Sequence, residues 1–232
     1  MGQAVLVLGE SGSGKSTSLR NFQKSDVVIL NVANKLLPFK NNLNIVNLKK
    51  LSYVERYEKI KKAMIQNQDK YKAFVIDDSQ FLMAFEFIQR AKETGYNKFT
   101  EIGQRWVNLM QFIDELEDDV IVYFLHHSDF DSNSGRTKAK TVGKMVDDYM
   151  SPESLCTIVI GALNIDGKHI FKTSSNGSTT YKTPMGMFES EEIDNDLKLV
   201  DTKIREFYGF NNKEEKGGVN EEQRKMNLNL KD

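Results

Sequence analysis

The chain has 232 residues, of which 39% are hydrophobic and 28% are charged, and its formal net charge at pH 7 is −1. This length fits one domain with a sizeable core, and the balanced charge argues against a uniformly basic coat for nucleic acid. No apolar run approaches the ~20 residues that span a bilayer, and the first strand begins too early to leave room for a signal peptide. The single cysteine, Cys156, excludes an intrachain disulfide, so a reducing cytoplasm is the expected compartment.

A glycine- and serine-rich segment follows the first apolar run at 4–8, which predicts a buried strand. The segment has the spacing G-x-x-x-x-G-K-S of the phosphate-binding P-loop. Glycine lets the backbone curl with its N–H groups pointing inward, and the helix expected next adds its positive N-terminal end. Lys15 is expected to reach the β- and γ-phosphates, and the Ser16 hydroxyl to bind Mg²⁺. The predicted nucleotide contacts are Gly9, Glu10, Ser11, Gly12, Ser13, Gly14, Lys15, Ser16 and Thr17.

Apolar periodicity predicts the other regular elements. Buried strands are expected at 27–30, 73–76, 120–125 and 155–163. Helices are expected directly after the P-loop, at 52–68, around 81–88, around 102–116, at 145–150 and at about 191–208. Asp-Gly and Asn-Gly turns predict short strands at 169–173 and 178–182, so the sheet is expected to end in an antiparallel hairpin. Residues 31–44 are expected to form a loop.

Two carboxylates, Asp77 and Asp78, end the apolar strand at 73–76. In P-loop proteins an aspartate at the end of a central parallel strand helps to hold Mg²⁺. Asp77 is therefore the predicted metal-side carboxylate. Asp78 is predicted either to activate the attacking water or, alternatively, to cap the helix that begins near Gln80.

Three polar residues, His126, His127 and Ser128, end the strand at 120–125. Polar residues at this edge of a parallel sheet face the nucleotide crevice. We expect one histidine to sense the γ-phosphate; the alternatives are a structural loop or a metal site. The neighbouring histidines leave the choice between them open, and His127 is the predicted catalytic residue.

A polar, basic segment at 129–144 follows this strand end and is expected to be a mobile loop. Flexible basic loops track phosphate backbones, so the segment predicts contact with single-stranded DNA. An ordinary solvated loop is the alternative. The predicted DNA-binding residues are Arg136, Lys138, Lys140 and Lys144.

Four segments together carry a resemblance to a known family: the P-loop at 9–16, residues 75–79, residues 126–128, and the late stretch from Phe171 to Glu189. The chain resembles the phage-encoded RecA-like ATP-binding proteins, small ATPases proposed to act in recombination by single-strand annealing. The resemblance covers about 1–210. It implies an α/β fold with a RecA-like P-loop NTPase core, in which helices flank a mainly parallel sheet that ends in an antiparallel hairpin. It also implies ATP and Mg²⁺ binding, ATPase activity, a host-cell cytoplasmic location, a homo-oligomer with nucleotide at subunit interfaces, and single-stranded DNA as partner.

One position agrees with the pattern of this family, and one segment departs from it. By resemblance, Lys182 matches the basic residue that reaches the γ-phosphate of a neighbouring subunit. RecA-type enzymes also place a catalytic glutamate just after the second strand, whereas residues 30–35 contain no carboxylate. Either Asp78 takes over water activation, or hydrolysis is slow and ATP chiefly holds an assembly together by mass action.

Alternative functions stay open at this point. A nucleotide-gated module that loads or regulates a single-strand-binding or other replication protein needs no DNA contact, and the polar tail at 211–232, expected to be flexible after a domain at 1–210, would be its docking arm. A nucleotide or nucleoside kinase is a third class, but no arginine-bearing lid is evident. Residues 34–37 lack the aspartate of the guanine motif N-K-x-D, which favours adenine nucleotides.

Overall fold

A computed structural model of the chain describes residues 1–143, Val146 and 150–210. Within these residues, nine strands form one sheet. They are β1 (Gln3–Gly9), β2 (Val27–Asn31), β3 (Asn44–Asn47), β4 (Ala73–Asp77), β5 (Ile121–Asp131), β6 (Arg136–Ala139), β7 (Ile158–Ile165), β8 (Lys168–Lys172) and β9 (Glu192–Asp194). The α-helices in the same part of the chain are α1 (Tyr53–Asn67), α2 (Phe81–Gln89), α3 (Asn97–Phe112) and α4 (Leu197–Tyr208). Short 3₁₀ helices span Ser16–Asn21, Ile113–Glu115 and Pro152–Leu155. None of the helices described is long and apolar enough to cross a membrane.

The sheet has the strand order β3-β2-β4-β5-β1-β7-β8-β9, and β6 is attached to the far end of β5. The six strands from β3 to β7 in this order are parallel, whereas β8 and β9 are each antiparallel to the preceding strand. Because β5 lies between β1 and β4, the carboxyl ends of these three strands are neighbours. The register places Gly9 beside His127 and Asn31 beside Asp77. The predicted α/β class, with a mainly parallel sheet and antiparallel strands at its C-terminal end, is confirmed.

The parallel strands are apolar on both faces because a helical layer covers each face. Helices α1, α2 and α3 form one layer, in which Tyr57 and Trp106 are fully or almost fully buried against the sheet. The 3₁₀ helix at Ser16–Asn21 and α4 form the other layer, and they bury Leu19 and Val200 against the opposite face. Both faces therefore exclude water, and polar groups gather at the carboxyl edge of the strands.

Several predicted elements differ from the structure in type or length. The helix expected after the P-loop is a 3₁₀ helix of six residues, because Phe22 leaves helical geometry for an extended conformation. The loop expected at 31–44 leads into β3, a short edge strand with little periodic apolar signal. The last helix begins at Leu197 because the preceding residues pair with β8 as β9, and the Asp196 carboxylate caps the helix.

The antiparallel end of the sheet is only partly as expected. Strands β7 and β8 form the predicted hairpin around Asp166 and Gly167. The strand expected at 178–182 is absent from the described structure: Thr179 and Lys182 each make only an isolated bridge, to Thr137 and Val159. Because β8 occupies the edge of β7 from Gly161 onward, the later segment reaches that edge only at Val159.

The prediction of a mobile basic loop at 129–144 is wrong over most of that segment. Strand β5 continues to Asp131 and pairs with β6, so residues 128–139 form a β-hairpin. Asp131 stabilises the turn, since its carboxylate accepts hydrogen bonds from the Asn133 N–H and the Ser134 hydroxyl. Lys144, most of the helix expected at 145–150 and the tail expected at 211–232 lie outside the described residues.

Candidate nucleotide-binding site

The loop between β1 and the first 3₁₀ helix curls around the ammonium group of its own lysine. Lys15 Nζ donates to the carbonyl oxygens of Gly9 at 2.7 Å and Glu10 at 2.8 Å. Burial lowers the pKa of Lys15 to about 8, although the charges of Asp78 and Asp77 oppose this effect. The ammonium is thus held at the centre of the loop, where a polyphosphate would meet it.

Two glycines of this loop are required by close packing. A Cβ on Gly9 would lie 2.4 Å from the Ala162 carbonyl oxygen. Gly14 has a φ of +94°, and a Cβ there would lie 2.9 Å from His169 Nδ1. Any larger side chain would therefore displace the loop from the end of the sheet.

Ser16 and Asp77, the two residues predicted to lie beside the metal, are in direct contact. The Ser16 hydroxyl donates to Asp77 Oδ1 at 2.9 Å. Burial, together with the charge of Asp78, raises the pKa of Asp77 to about 6, against the Ser16 hydrogen bond and the charges of Lys35 and Lys15. The pKa of this buried carboxylate stays raised although two lysines are near, so its negative charge is incompletely compensated, and a divalent cation would supply the missing positive charge. The hydroxyl and carboxylate oxygens fit Mg²⁺, which prefers hard oxygen ligands and keeps several waters.

These two residues would need further ligands from water and phosphate. Across the part of the chain that the structure describes, no group of three or more His, Cys, Asp or Glu side chains could hold a metal ion. Magnesium sites that use one or two protein ligands plus substrate phosphates have this sparse donor set.

The Asp78 carboxylate faces the same pocket from the left-handed region of backbone conformation, with a φ of +59°. Lys35 Nζ lies 2.7 Å from Asp78 Oδ2, and His127 Nε2 lies 3.3 Å from Oδ1. Burial alone would raise the pKa of Asp78, but the hydrogen bonds from His127 and Lys35 hold it below its ordinary value. The alternative role as a side-chain cap of α2 is wrong, because Asp78 contributes only its backbone carbonyl, to the Phe81 N–H, and α2 has no side-chain cap.

The two adjacent histidines have different environments. His126 is fully buried, with Nδ1 2.9 Å from the Ser79 hydroxyl and Nε2 2.7 Å from the Lys140 carbonyl oxygen. Burial lowers the pKa of His126 to about 4, so this ring is a neutral structural group with both nitrogens occupied. His127 lies beside Asp78 and lines the pocket. Of the two, His127 faces the nucleotide pocket, and its role as a γ-phosphate sensor stays a prediction.

The phosphate pocket has a volume of about 230 Å³ and is lined by residues 11–17, the two aspartates and His127. Four further residues line it that the sequence does not predict there, Leu36, Pro38 and the two basic residues Lys35 and His169. The β7–β8 hairpin brings His169 over Gly14, a long-range contact with no signal in the local sequence. Lys35 lies in the segment after β2, whose sequence lacks both the aspartate of the guanine motif and the catalytic glutamate and so does not indicate a pocket residue.

A second cavity, of about 480 Å³, lies on the other side of the P-loop. Its lining joins Glu10 and Ser11 of the loop to Ser128 and Thr137 of the β5–β6 hairpin, with Tyr181 closing one wall. The hairpin and the P-loop therefore line one cavity, and Ser11, Gly12 and Ser13 line both this cavity and the phosphate pocket.

The predicted DNA-binding side chains lie on this hairpin. In the register of β5 and β6, Lys138 is opposite Asp129 and Arg136 is opposite Asp131. Lys138 Nζ is 3.5 Å from Asp131 Oδ2, and Lys140 Nζ is 3.8 Å from Asp129 Oδ2. The three basic side chains thus share one face with two carboxylates, which reduces the positive potential of that face.

Lys182, the predicted trans-acting residue, is exposed. Its backbone pairs with Val159, and it is outside the set of described residues that line the phosphate pocket of its own chain. Within this chain, the structure therefore does not bring Lys182 together with Lys15 and Asp77.

The strand order, the loop around Lys15 and the Ser16–Asp77 pair define a P-loop nucleotide-binding domain. A family model described as AAA domain matches residues 1–179, most of the chain. The chain therefore belongs to this AAA domain family, and it is a nucleotide-binding domain of the ATPase type. No curated protein matches it.

Proposed function

We propose that the protein is a Mg²⁺-dependent ATPase, encoded by a phage, that acts on single-stranded DNA in recombination or replication as a homo-oligomer with nucleotide at its subunit interfaces. The observation that carries the ATPase part is the placement of the Ser16–Asp77 pair, 2.9 Å apart, beside Asp78 and Lys15 in one pocket. Binding, charge neutralisation and water activation all have a candidate group there.

The charged residues and the loop N–H groups of the pocket supply the roles that hydrolysis needs. Lys15 and the loop N–H groups bind the β- and γ-phosphates, and Mg²⁺ held by Ser16 and Asp77 would neutralise charge that develops on the phosphates. Asp78 orients a water molecule and accepts its proton. The water oxygen forms a bond to the γ-phosphorus while the bond from that phosphorus to the β–γ bridging oxygen breaks, which releases ADP and phosphate.

Asp78 replaces the glutamate that is missing after the second strand. Burial alone would raise the pKa of this carboxylate and favour the protonated acid. Hydrogen bonds from His127 and Lys35 outweigh that effect and lower the pKa, so the carboxylate is ionised at neutral pH. An ionised carboxylate can accept a proton, although a lowered pKa makes it a weak base. A weak base favours slow hydrolysis, which the sequence left open as the alternative to water activation by Asp78.

The β5–β6 hairpin supports the DNA part of the proposal. Arg136, Lys138 and Lys140 lie on one face, and the other face carries Phe130, which is 65% exposed. Basic side chains can contact phosphates, and an exposed aromatic ring offers a surface on which a base can stack. The shared cavity between the hairpin and Glu10 would let DNA contact and ATP binding influence each other.

The exposed position of Lys182 supports the oligomeric part. A basic residue that acts on the γ-phosphate of a neighbouring subunit must be accessible and must lie outside the pocket of its own chain. Lys182 meets both conditions.

Single-stranded DNA binding at low salt, with and without ATP and Mg²⁺, tests the proposal. Replacing Arg136, Lys138 and Lys140 together by alanine should weaken binding and flatten its salt dependence, because each phosphate contact releases counterions. A matched control removes three exposed lysines from elsewhere on the surface, Lys50, Lys59 and Lys62. Equal DNA binding by the two triple variants, or no binding by the wild type, would refute the DNA part.

A second candidate function is the nucleotide-gated protein-interaction module. A groove of about 540 Å³ beside α4, partly lined by Phe188, Leu199 and Phe207, favours it because exposed apolar side chains suit a protein partner. Deleting 211–232, or replacing Leu199 and Phe207 by serine, would then abolish binding of a single-strand-binding protein while DNA binding stays intact. Unchanged binding of that partner by these variants would count against the interaction module.

A further inference from the structure

Lys35 is placed in the phosphate pocket by the segment that follows β2. Its Nζ lies 2.7 Å from Asp78 Oδ2 and 5.0 Å from the centre of the Phe81 ring. The same pocket contains Lys15 and Asp77. Lys35 is thus a second cation at the end of the pocket where Ser16 and Asp77 would hold the metal.

The backbone of this segment is anchored, whereas the Lys35 side chain is accessible. The buried Asn31 donates through Nδ2 to the Lys35 carbonyl oxygen at 2.7 Å, and Asn34 turns the chain with a φ of +56°. The Lys35 side chain is 58% exposed, while that of Asp78 is 9% exposed. Its base is therefore fixed close to the pocket, and its ammonium can change partner by rotation of an exposed side chain.

The charges of the pocket favour such a change. Two lysines, Lys15 and Lys35, face two aspartates, Asp77 and Asp78, so their formal charges cancel when all four are ionised. A triphosphate adds several negative charges at this place, and a compact ammonium on a flexible stem is suited to move toward them. Phosphate oxygens and the Asp78 carboxylate then compete for the same donor.

We propose that Lys35 is a catalytic residue that binds the γ-phosphate of ATP within its own subunit and exchanges Asp78 for that phosphate when ATP is bound. This inference rests on the proposed ATPase function and deepens it. The exchange leaves Asp78 with His127 as its partner and one carboxylate oxygen available to the attacking water. It also makes the pocket discriminate ATP from ADP, since ADP has no γ-phosphate for Lys35 to bind.

Nucleotide affinity, measured by calorimetry with ADP and with a non-hydrolysable ATP analogue, tests this inference separately from turnover. Lys35→Met removes the charge but keeps the length of the side chain. We expect its affinity for the ATP analogue to fall about tenfold or more, the effect of losing a hydrogen bond to a charged group, while its affinity for ADP changes less than about twofold. The measurements are made with Mg²⁺ and repeated in EDTA, so that loss of the metal is not mistaken for loss of Lys35.

Two further variants serve as references. Lys35→Arg keeps a cation at the same position and should retain the preference for the ATP analogue. Lys40→Met makes the same chemical change at an exposed lysine that is outside the described lining of the pocket, and it should bind both nucleotides as the wild type does. Thermal unfolding of each variant shows whether it is folded.

The outcomes separate the inference from the function on which it rests. Equal losses of ADP and ATP-analogue affinity in Lys35→Met, or no loss of either, overturn the γ-phosphate contact while leaving nucleotide binding intact. Loss of the preference in Lys35→Arg also counts against it. A wild-type chain that binds neither nucleotide overturns the proposed function itself.

Discussion

The Ser16 hydroxyl donates a 2.9 Å hydrogen bond to the Asp77 carboxylate, although 61 positions separate the two residues in the chain. The bond joins the end of the P-loop to the end of β4, across the intervening strand β5. It places a hydroxyl and a carboxylate where a metal ion bound to phosphate would need them. The chemistry of the pocket can be tested one residue at a time.

Lys15→Ala should abolish detectable ATP binding and turnover. The change removes the ammonium that the loop holds between the Gly9 and Glu10 carbonyls, and with it a charged donor to the β- and γ-phosphates. Equilibrium binding of ATP, followed by calorimetry, measures the loss. Lys24→Ala, at an exposed lysine beyond the first 3₁₀ helix, is the control and should bind ATP normally. Wild-type affinity in Lys15→Ala would rule out the phosphate contact.

Asp77→Asn should abolish Mg²⁺-dependent turnover and at the same time stabilise the metal-free protein. Burial and the Asp78 charge raise the pKa of Asp77 from 3.8 to about 6. The folded state therefore favours the protonated acid, so this contribution to stability is present below about pH 4 and is lost as the pH rises through about 6. A difference of about two pH units corresponds to about 3 kcal/mol.

Urea unfolding in EDTA at pH 4 and at pH 7.5 measures this effect. At pH 7.5, Asp77→Asn should have a free energy of unfolding up to about 3 kcal/mol larger than that of the wild type, and at pH 4 the two should be similar. Adding Mg²⁺ should stabilise the wild type more than the variant. The same stability difference at both pH values would show that the ionisation of Asp77 is not its cause.

Asp78→Asn should reduce turnover by about a hundredfold or more, the contribution of a general base, while ATP affinity is retained or rises, because Lys35 loses the carboxylate that competes with the γ-phosphate. Asparagine cannot take the proton of the attacking water. Steady-state and binding measurements together separate the two effects. Asp166→Asn, in the turn between β7 and β8, makes the same chemical change away from the pocket and should turn over ATP normally. Normal turnover in Asp78→Asn would remove Asp78 from the chemical step.

Lys182→Ala should reduce turnover only in the assembled protein, because the residue is expected to act on the pocket of a neighbouring subunit. A mixing experiment makes this specific. Lys15→Ala subunits have a defective pocket but still supply Lys182, so adding them to Lys182→Ala subunits should restore part of the activity. No recovery on mixing, with oligomers still formed, would contradict the action between subunits.

Pocket residues that belong to a local sequence pattern could be predicted from the sequence. The spacing of residues 9–17 and the carboxylates that follow an apolar run identified Lys15, Ser16 and Asp77, because a P-loop is a local backbone structure with a local residue pattern. The β5–β6 hairpin was not predictable in the same way. Its strands are polar because one end projects beyond the core, so they lack the apolar periodicity from which a strand is inferred.

The sequence predicts that one of His126 and His127 faces the nucleotide pocket, but it does not predict which one. Successive side chains of a strand point to opposite faces, so one histidine had to be buried beneath the helices while the other faced the crevice. Which one depends on the register of β5 against β1, a property of the assembled sheet. Burial beside Ser79 and Trp106 then makes His126 structural.

The sequence by itself determined that this chain has a P-loop, an aspartate pair at the end of an apolar strand and a mainly parallel α/β sheet, because these depend on local spacing and hydrophobic pattern. Only the tertiary structure decided which other groups enter the pocket. Lys35 reaches Asp78 because β2 lies beside β4, and His169 covers Gly14 because β8 folds back along β7. Both contacts join residues far apart in the chain, and it is the order and register of the strands that bring them together.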